Sequence, residues 1–119
     1  MISQSHRFHG HGSLRYVYKK GSSVRSSLLT IKYVSNSRRR ATRCSVVVSK
    51  KVLKSAVGRN RIRRRIYETM RPILPQTAKP YDIVVIVWSA DVRTLPYPEL
   101  ATQLSELLCG AQIIDSRAR

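Results

Sequence analysis

The sequence predicts a single domain of the α+β class, and three observations lead to this prediction. The chain has 119 residues, a length that suits one domain with one modest core. Hydrophobic residues make up 42% of the chain, which is enough for such a core to form. Segments with alternating apolar residues are interspersed with segments whose apolar residues recur at helical spacing, and no internal repeat is visible.

The first predicted element is a short helix that follows a polar arm. Residues 1–12 are polar and contain two glycines, so we expect a flexible, basic, His- and Gly-containing N-terminal arm, with the domain proper at 13–110. Ser13 can cap a helix that Gly21 ends. The apolar side of this helix, at i, i+3 and i+4 spacing, consists of Leu14, Val17 and Tyr18.

Three segments are predicted to be strands. Residues 27–34 alternate, which places Leu29, Ile31 and Tyr33 on one face, with Thr30 and Lys32 on the other. Residues 42–49 follow a basic turn at 35–41, and we expect them to form a hairpin with the first strand. Residues 81–88 are almost continuously apolar, which is typical of a strand covered on both faces.

Two longer helices complete the predicted elements. In the segment from Ser55 to Arg71, Ile62, Ile66 and Met70 fall on one line at ~100° per residue. A closing helix has Pro98 in its first turn and ends at Gly110, and residues 111–119 are predicted to be a frayed tail. The apolar stripe of the closing helix consists of Leu100, Leu104, Leu107 and Leu108.

The arginines of the segment 55–71 point to a polyanionic partner. The chain has 23 Lys and Arg against 6 Asp and Glu, a formal net charge of +17. A run of charge is often only a solvated surface, but such surfaces mix signs, and no acid lies between Arg59 and Arg65. Guanidinium groups bind phosphate oxygens bidentately, so nucleic acid is the expected partner. No apolar run approaches the ~20 residues of a membrane-spanning helix, so no membrane role is expected.

Other chemistry is not favoured by the sequence. Cys44 and Cys109 are far apart, and free thiols in a reducing cytoplasm are the simpler interpretation. The His-x-His of the N-terminal arm is poorly organised for a metal, and the acids are scattered without a close pair. No metal site of the protein's own is therefore expected. Trp88, at the end of an apolar strand, is interpreted as core or sheet edge rather than as a base-stacking platform.

The segment "VVVSKKVLKSAVGRNRIRRRIYETMR" resembles the signature of the protein subunit of bacterial ribonuclease P. Its specific parts are "SKK" at 49–51, "AV" at 56–57 and "RNR" at 59–61. The resemblance continues through "LRYVYKKGSSV", "YDIVVIV" and "YPELATQLSELL". It implies an α/β sandwich in the order α-β-β-β-α-β-α, whose central mixed sheet has a cleft beside the first helix. This order adds a short strand, which we expect within or close to residues 42–50.

The resemblance also implies a function. The protein would bind a catalytic RNA subunit and the single-stranded 5′ leader of precursor tRNA, and the complex would remove the leader in the cytoplasm. Mg²⁺ would be bound mainly by the RNA, the active site would lie in the RNA, and no protein partner would be required. The residues expected to contact the RNA subunit are Lys51, Arg59, Asn60, Arg61, Arg63, Arg64 and Arg65. Those expected to line the leader cleft are Leu14, Tyr18, Lys32, Ser49, Lys50, Arg63 and Tyr67.

Three departures and two alternatives accompany this hypothesis. The family usually has Phe at the position of Leu14 and often a basic residue at that of Tyr67, and "VLKSAVG" is one residue longer than the familiar spacing. From spacing alone, Tyr18 could equally be a core aromatic. A ribosomal or other structural RNA-binding protein would fit the charge and size, though not the "SKK" and "RNR" pairing. A protein-only nuclease would need acids that the chain lacks.

Overall fold

The computed structural model describes residues 11–36 and 41–114, and the side chains of residues 11–15 lie outside this description. Two short 3-10 helices, Leu74–Gln76 and Ala90–Arg93, flank the last strand. The predicted order α-β-β-β-α-β-α is confirmed. The main elements are α1 (His11–Lys20), β1 (Ser22–Arg25), β2 (Leu29–Ser35), β3 (Arg43–Val48), α2 (Ala56–Met70), β4 (Tyr81–Val87) and α3 (Tyr97–Gly110).

The four strands form one mixed sheet in the order β1-β2-β4-β3. Strand β4 pairs antiparallel with β2 and parallel with β3, so it is an interior strand. All of its residues except Ile86 are buried, which confirms that it is covered on both faces. Continuous apolar character is what such a position requires.

The predicted hairpin of residues 27–34 with 42–49 is wrong, because β4 lies between β2 and β3. Parallel strands need a long crossover, and α2 supplies it between β3 and β4. The additional strand is not at residues 42–50 either. It is β1, a short edge strand of sequence SSVR with little burial, which therefore has no apolar alternation to reveal it.

The two faces of the sheet are covered unequally. The main hydrophobic core lies on the face that α2 and α3 cover, and a smaller cluster around Val17 of α1 and Val84 of β4 lies on the other face. The predicted alternation of β2 is confirmed, since Leu29 and Ile31 are fully buried in the main core. From the helices, the core receives the predicted stripe residues Ile62, Ile66, Met70, Leu100, Leu104 and Leu108, all 0% exposed.

Gly21 fixes α1 to the sheet. A Cβ atom at this position would lie 2.5 Å from the carbonyl oxygen of Val17 and 2.7 Å from that of Tyr33. Real Cβ atoms do not approach oxygens so closely, so only glycine allows the end of α1 to meet β2 here. This contact sets where α1 crosses the sheet.

The ends of the domain differ from the expected boundaries. Helix α1 begins at His11, two residues before the expected Ser13. Residues 111–114 are not frayed, because Ile113 and Ile114 are buried and Ala78 N donates to Ile113 O at 2.9 Å. Burial of two isoleucines favours this docking over a solvated tail. Residues 1–10 and 115–119, which carry the rest of the arm and tail predictions, lie outside the described residues.

Cys44 and Cys109 are both free cysteines. Cys44 is fully buried on β3, and burial raises the pKa of its thiol to about 12. Its thiol is therefore protonated at neutral pH and acts as a small core side chain. Among the described residues, no helix has the length and apolar character needed to cross a membrane.

Candidate nucleic-acid interface

Helix α2 presents one face to the core and the other to solvent. Its first turn is capped by Ser55, whose Oγ accepts a hydrogen bond from Gly58 N at 3.1 Å. Ile62, Ile66 and Met70 anchor the helix on the sheet, as the periodicity predicts. Asn60, Arg61 and Arg64 are exposed.

Arg61 and Arg64 are three positions apart, so they are neighbours on the helix surface. Neither makes a hydrogen bond or ion pair within the described part of the chain. An open depression of about 510 Å³ lies at this end of the helix. The residues that line it are Ser55, Val57, Gly58, Asn60, Arg61, Arg64 and Arg93, and no acid is among them.

Arg59 and Arg63 are half-buried and each has a partner. The Nη1 of Arg59 donates to the carbonyl oxygens of Leu53 at 3.0 Å and Lys54 at 2.7 Å, so this arginine holds the loop that approaches the helix. The Nη1 of Arg63 donates to Asn60 Oδ1 at 2.8 Å. Both guanidinium groups keep further N–H donors, since a guanidinium carries five.

Arg65 has a different role from the other arginines of α2. Its Nη1 donates to the carbonyl oxygens of Val92 at 3.2 Å and of Arg93, and its Nη2 donates to that of Leu95. Its guanidinium carbon also lies 4.5 Å from the centre of the Tyr97 ring. Arg65 therefore fastens α2 to the segment before α3, which does not fit the predicted contact with an RNA subunit.

The loop between β3 and α2 accommodates the longer "VLKSAVG" spacing. Val52 N and Leu53 N both donate to Ser49 O, at 3.1 and 3.3 Å, which forms a tight turn after the strand. Leu53 packs over Gly58, where an added Cβ would lie 2.5 Å from Leu53 Cδ2. Lys50 and Lys51 are exposed on this turn. The approach to the helix is thus anchored at both ends.

The face of the sheet opposite the main core carries two of the predicted cleft residues, Tyr18 and Lys32. Val17 of α1 packs on Val84, with Val34, Val47 and Ile86 around them. Tyr18 is 41% exposed beside this contact, and the Nζ of Lys32 lies 5.3 Å from the centre of its ring. Partial burial raises the pKa of the Tyr18 phenol, which keeps it neutral. Tyr18 is therefore not a core aromatic, and a cation stands next to its ring.

The other predicted cleft residues are only partly brought together. Ser49 follows Val48 and is exposed, and by strand alternation it belongs to the face of Val47 and Lys32. Tyr67 is 8% exposed and packs in the main core, so the prediction that it lines the cleft is wrong. The side chain of Leu14 lies outside the described residues.

The described acids do not form a metal site. No group of three His, Cys, Asp or Glu side chains is close enough for one among the residues that the structure covers. Asp82 is buried and bound by Arg43, whose Nε and Nη2 donate to its two oxygens at 2.9 and 2.8 Å, and by Asn36 Nδ2 at 2.8 Å. Asp82 thus links β4 to β3 and to the residue that follows β2, and its oxygens are already occupied by these donors.

A family model described as Ribonuclease P matches residues 2–112. The chain belongs to the ribonuclease P protein family. A ribonuclease P protein component from a Pseudanabaena species is 35% identical over 115 residues, which cover 96% of this chain and 97% of the relative. One from Chloroflexus aurantiacus is 34% identical, over 95% of this chain and 82% of the relative.

Solved ribonuclease P proteins have the same fold. The Staphylococcus aureus protein superposes with a TM-score of 0.80 at 25% identity, covering 92% of this chain and 98% of that one. The Thermotoga maritima protein gives 0.75 at 23% identity, with 86% and 94% covered. The resemblance found in the sequence is thereby confirmed, and with it the assignment to the endoribonuclease that matures the 5′ ends of tRNA.

Proposed function

We propose that this protein binds the catalytic RNA of ribonuclease P through α2 and holds the 5′ leader of precursor tRNA in the cleft beside α1. The observation that carries the first part is the pair Arg61 and Arg64, exposed on α2 with no partner in the described residues. Uncompensated like charge on a helix is unfavourable in the free protein, and a phosphate backbone would relieve it. Asn60 and Lys51 are the neighbouring contacts that we propose.

Arg59 and Arg63 are proposed to contribute with the donors that their internal hydrogen bonds leave over. Their partners, the carbonyls of the approach loop and the amide of Asn60, hold them in fixed positions. A guanidinium already held in place loses less conformational entropy when it binds phosphate. We exclude Arg65 from the contact surface, because its guanidinium is engaged with three carbonyls and Tyr97.

The leader is proposed to lie across Tyr18 and Lys32. Leader nucleotides are unpaired, so their bases can stack on an aromatic ring while cations follow the phosphates. Tyr18 supplies a half-exposed ring, and Lys32 supplies a cation 5.3 Å from that ring. Ser49, Lys50 and Arg63 are proposed to extend this surface toward α2.

The metal requirement is proposed to belong to the RNA. The described acids of this chain offer no cluster for Mg²⁺, and Asp82 is occupied by Arg43. In the complex Mg²⁺ would stabilise charge at the scissile phosphate, while this protein's cations position the leader. We also propose that the complex acts in the cytoplasm, where precursor tRNA is transcribed.

Reconstitution tests this proposal. The protein is mixed with the ribonuclease P RNA of its own organism, and cleavage of a precursor tRNA is followed at low Mg²⁺ concentration. We expect cleavage to depend on the protein there and to become independent of it as Mg²⁺ is raised. The control is a ribosomal RNA fragment of equal length. Tight binding to that fragment, with cleavage unchanged by the protein, would favour the structural RNA-binding alternative and reject ours.

A further inference from the structure

A second aromatic side chain lies on the cleft face of the sheet. Trp88 directly follows β4, next to Val87, which points into the main core. Because side chains alternate along a strand, Trp88 belongs to the same face as Ile86 and Thr30. It is 56% exposed, so of the two interpretations made from the sequence, core or sheet edge, the core is wrong.

The indole is held in place by the sheet. Its Nε1 donates to Thr30 Oγ1 at 2.6 Å, and the backbone Trp88 N donates to Leu28 O at 2.8 Å. Thr30 is 5% exposed, so the bond lies at the protected side of the ring. The only donor of the indole is thus satisfied within the protein, and more than half of the residue remains accessible for stacking.

A cation stands beside this ring. Arg25 is the register partner of Thr30 across the β1–β2 pair, so both side chains project from the same face. An open depression of about 400 Å³ is lined by Arg25, Ser26, Ser27 and Trp88. Arg25 is exposed and has no hydrogen bond or ion pair to the residues that the structure describes.

We propose that Trp88 and Arg25 form an additional nucleotide-binding subsite for single-stranded RNA. The indole stacks on an unpaired base, and the Arg25 guanidinium binds the adjacent phosphate. As an extension of the leader cleft, the subsite rests on the proposed function. Thr30 and Lys32 are two residues apart on one face of β2, about 7 Å. Trp88 bonds to Thr30, and Tyr18 contacts Lys32. The two aromatic residues therefore lie along the same face of β2, where one single strand of RNA could contact both.

RNA fits this depression better than a protein partner does. Trp and Arg are frequent at protein interfaces as well. However, no acidic residue lines the depression, and its one charged residue, Arg25, is a cation on a chain whose net charge is +17. This charge favours a polyanionic ligand. Proteins bind unpaired nucleotides by stacking the base on an aromatic ring and binding the phosphate with a nearby cation, and the depression offers both groups.

Fluorescence tests the subsite directly, since Trp88 is the only tryptophan in the chain. The full-length protein is titrated with a short single-stranded RNA and, as a control of equal charge, with an abasic ribose-phosphate chain of the same length. We expect saturable quenching of Trp88 by the RNA and none by the abasic chain. Unchanged fluorescence while the RNA binds, or equal quenching by both chains, would overturn the subsite. Unchanged fluorescence would favour a protein partner as the ligand of the depression at Trp88.

Arg25→Ala provides a second test that leaves the indole intact. We expect the salt slope of binding to the same RNA to fall by about 0.7, the value for one lost phosphate contact on a single strand. Lys79→Ala is the matched control, because Lys79 precedes β4 and Trp88 follows it, nine residues or about 30 Å of extended chain away. An Arg25→Ala slope equal to that of Lys79→Ala or of the unchanged protein would contradict the role of Arg25.

The reconstituted complex then separates the subsite from the proposed function. With precursor tRNAs of increasing leader length, Trp88→Ala is expected to lose about tenfold in affinity for the long leaders only, the usual size of one base stack. Trp88→Phe should retain most of that affinity. If the unchanged protein fails to stimulate the RNA subunit, the proposed function is lost, but the fluorescence titration still decides the subsite. Equal loss by Trp88→Ala for every leader length would reject an extended cleft.

Discussion

Arg64 and Arg65 are adjacent in sequence and have opposite surroundings. Arg64 is exposed beside Arg61 with no partner among the described residues, whereas Arg65 donates to carbonyls of Val92, Arg93 and Leu95. One step of ~100° along the helix separates them. An arginine run on a helix is therefore not one binding surface, because helical position decides whether each guanidinium meets solvent or the rest of the fold.

The carbonyls that Arg65 binds explain why it is held there. Residues 92–95 include the end of a 3-10 helix and the turn before α3, so their carbonyls lack a regular ladder of donors. Partly buried backbone carbonyls, such as those of Val92 and Leu95, cost free energy when they lack donors, and one guanidinium can satisfy several of them. The ring of Tyr97 covers the cation and adds an attraction of its own. Arg65 thus stabilises the fold, whereas the charges of Arg61 and Arg64 have no partner in the described part of the chain and are accessible to a ligand.

The largest effect is expected from Arg65→Ala. Removal of the guanidinium leaves three carbonyls without this donor and removes the contact with Tyr97, so we expect the free energy of unfolding to fall by about 3 kcal/mol. Urea denaturation measures it. Arg64→Ala is the matched control and should change stability by less than about 0.5 kcal/mol. Equal stabilities of the two variants would mean that the arginines of α2 do not differ as described.

The sequence was sufficient to predict the elements whose signals are local. The stripes of α2 and α3, the alternation of β2 and the double burial of β4 each follow from apolar spacing within one segment, and the structure confirms them. Strand pairing depends on residues distant in sequence. Nothing in residues 27–49 shows that β4 enters between β2 and β3, so the predicted hairpin was wrong.

The candidate site shows the same limit. The family resemblance, and not the periodicity of either segment, suggested that Tyr18 and Lys32 line one cleft, and the Nζ of Lys32 lies 5.3 Å from the centre of the Tyr18 ring. The partners of Arg65 lie 27 to 30 residues further along the chain, beyond any periodicity of α2. Strand alternation gives the face of Trp88, but whether that part of the face is covered depends on elements distant in sequence. The surroundings of Arg65 and Trp88 therefore needed the tertiary structure.

An intermediate effect is expected from the double substitution of Arg61 and Arg64 by alanine. We expect unchanged stability but weaker binding to the ribonuclease P RNA, with a salt slope lower by about 1.4–1.8, because each phosphate contact contributes ~0.7–0.9. Binding measured over a series of salt concentrations gives this slope. Glu99→Ala with Glu106→Ala, on exposed positions of α3, is a control expected to leave the slope unchanged. A slope that the arginine pair does not alter would show that α2 faces something other than phosphate.

The smallest effect is expected from Tyr18→Ala, which extends the comparison from arginines to the tyrosines of α1. Tyr16 is 52% exposed, and Tyr18 is 41% exposed next to Lys32, so only Tyr18 combines a ring with a neighbouring cation in the described contacts. We expect Tyr18→Ala to weaken binding of precursor tRNA by about 1 kcal/mol, the lower end of base stacking on an aromatic ring. Binding of mature tRNA, which has no leader, should be unchanged, and Tyr16→Ala should affect neither. Equal losses for precursor and mature tRNA would assign Tyr18 to the support of α1 on the sheet, because a ring that only supports this helix cannot distinguish substrates by their leader.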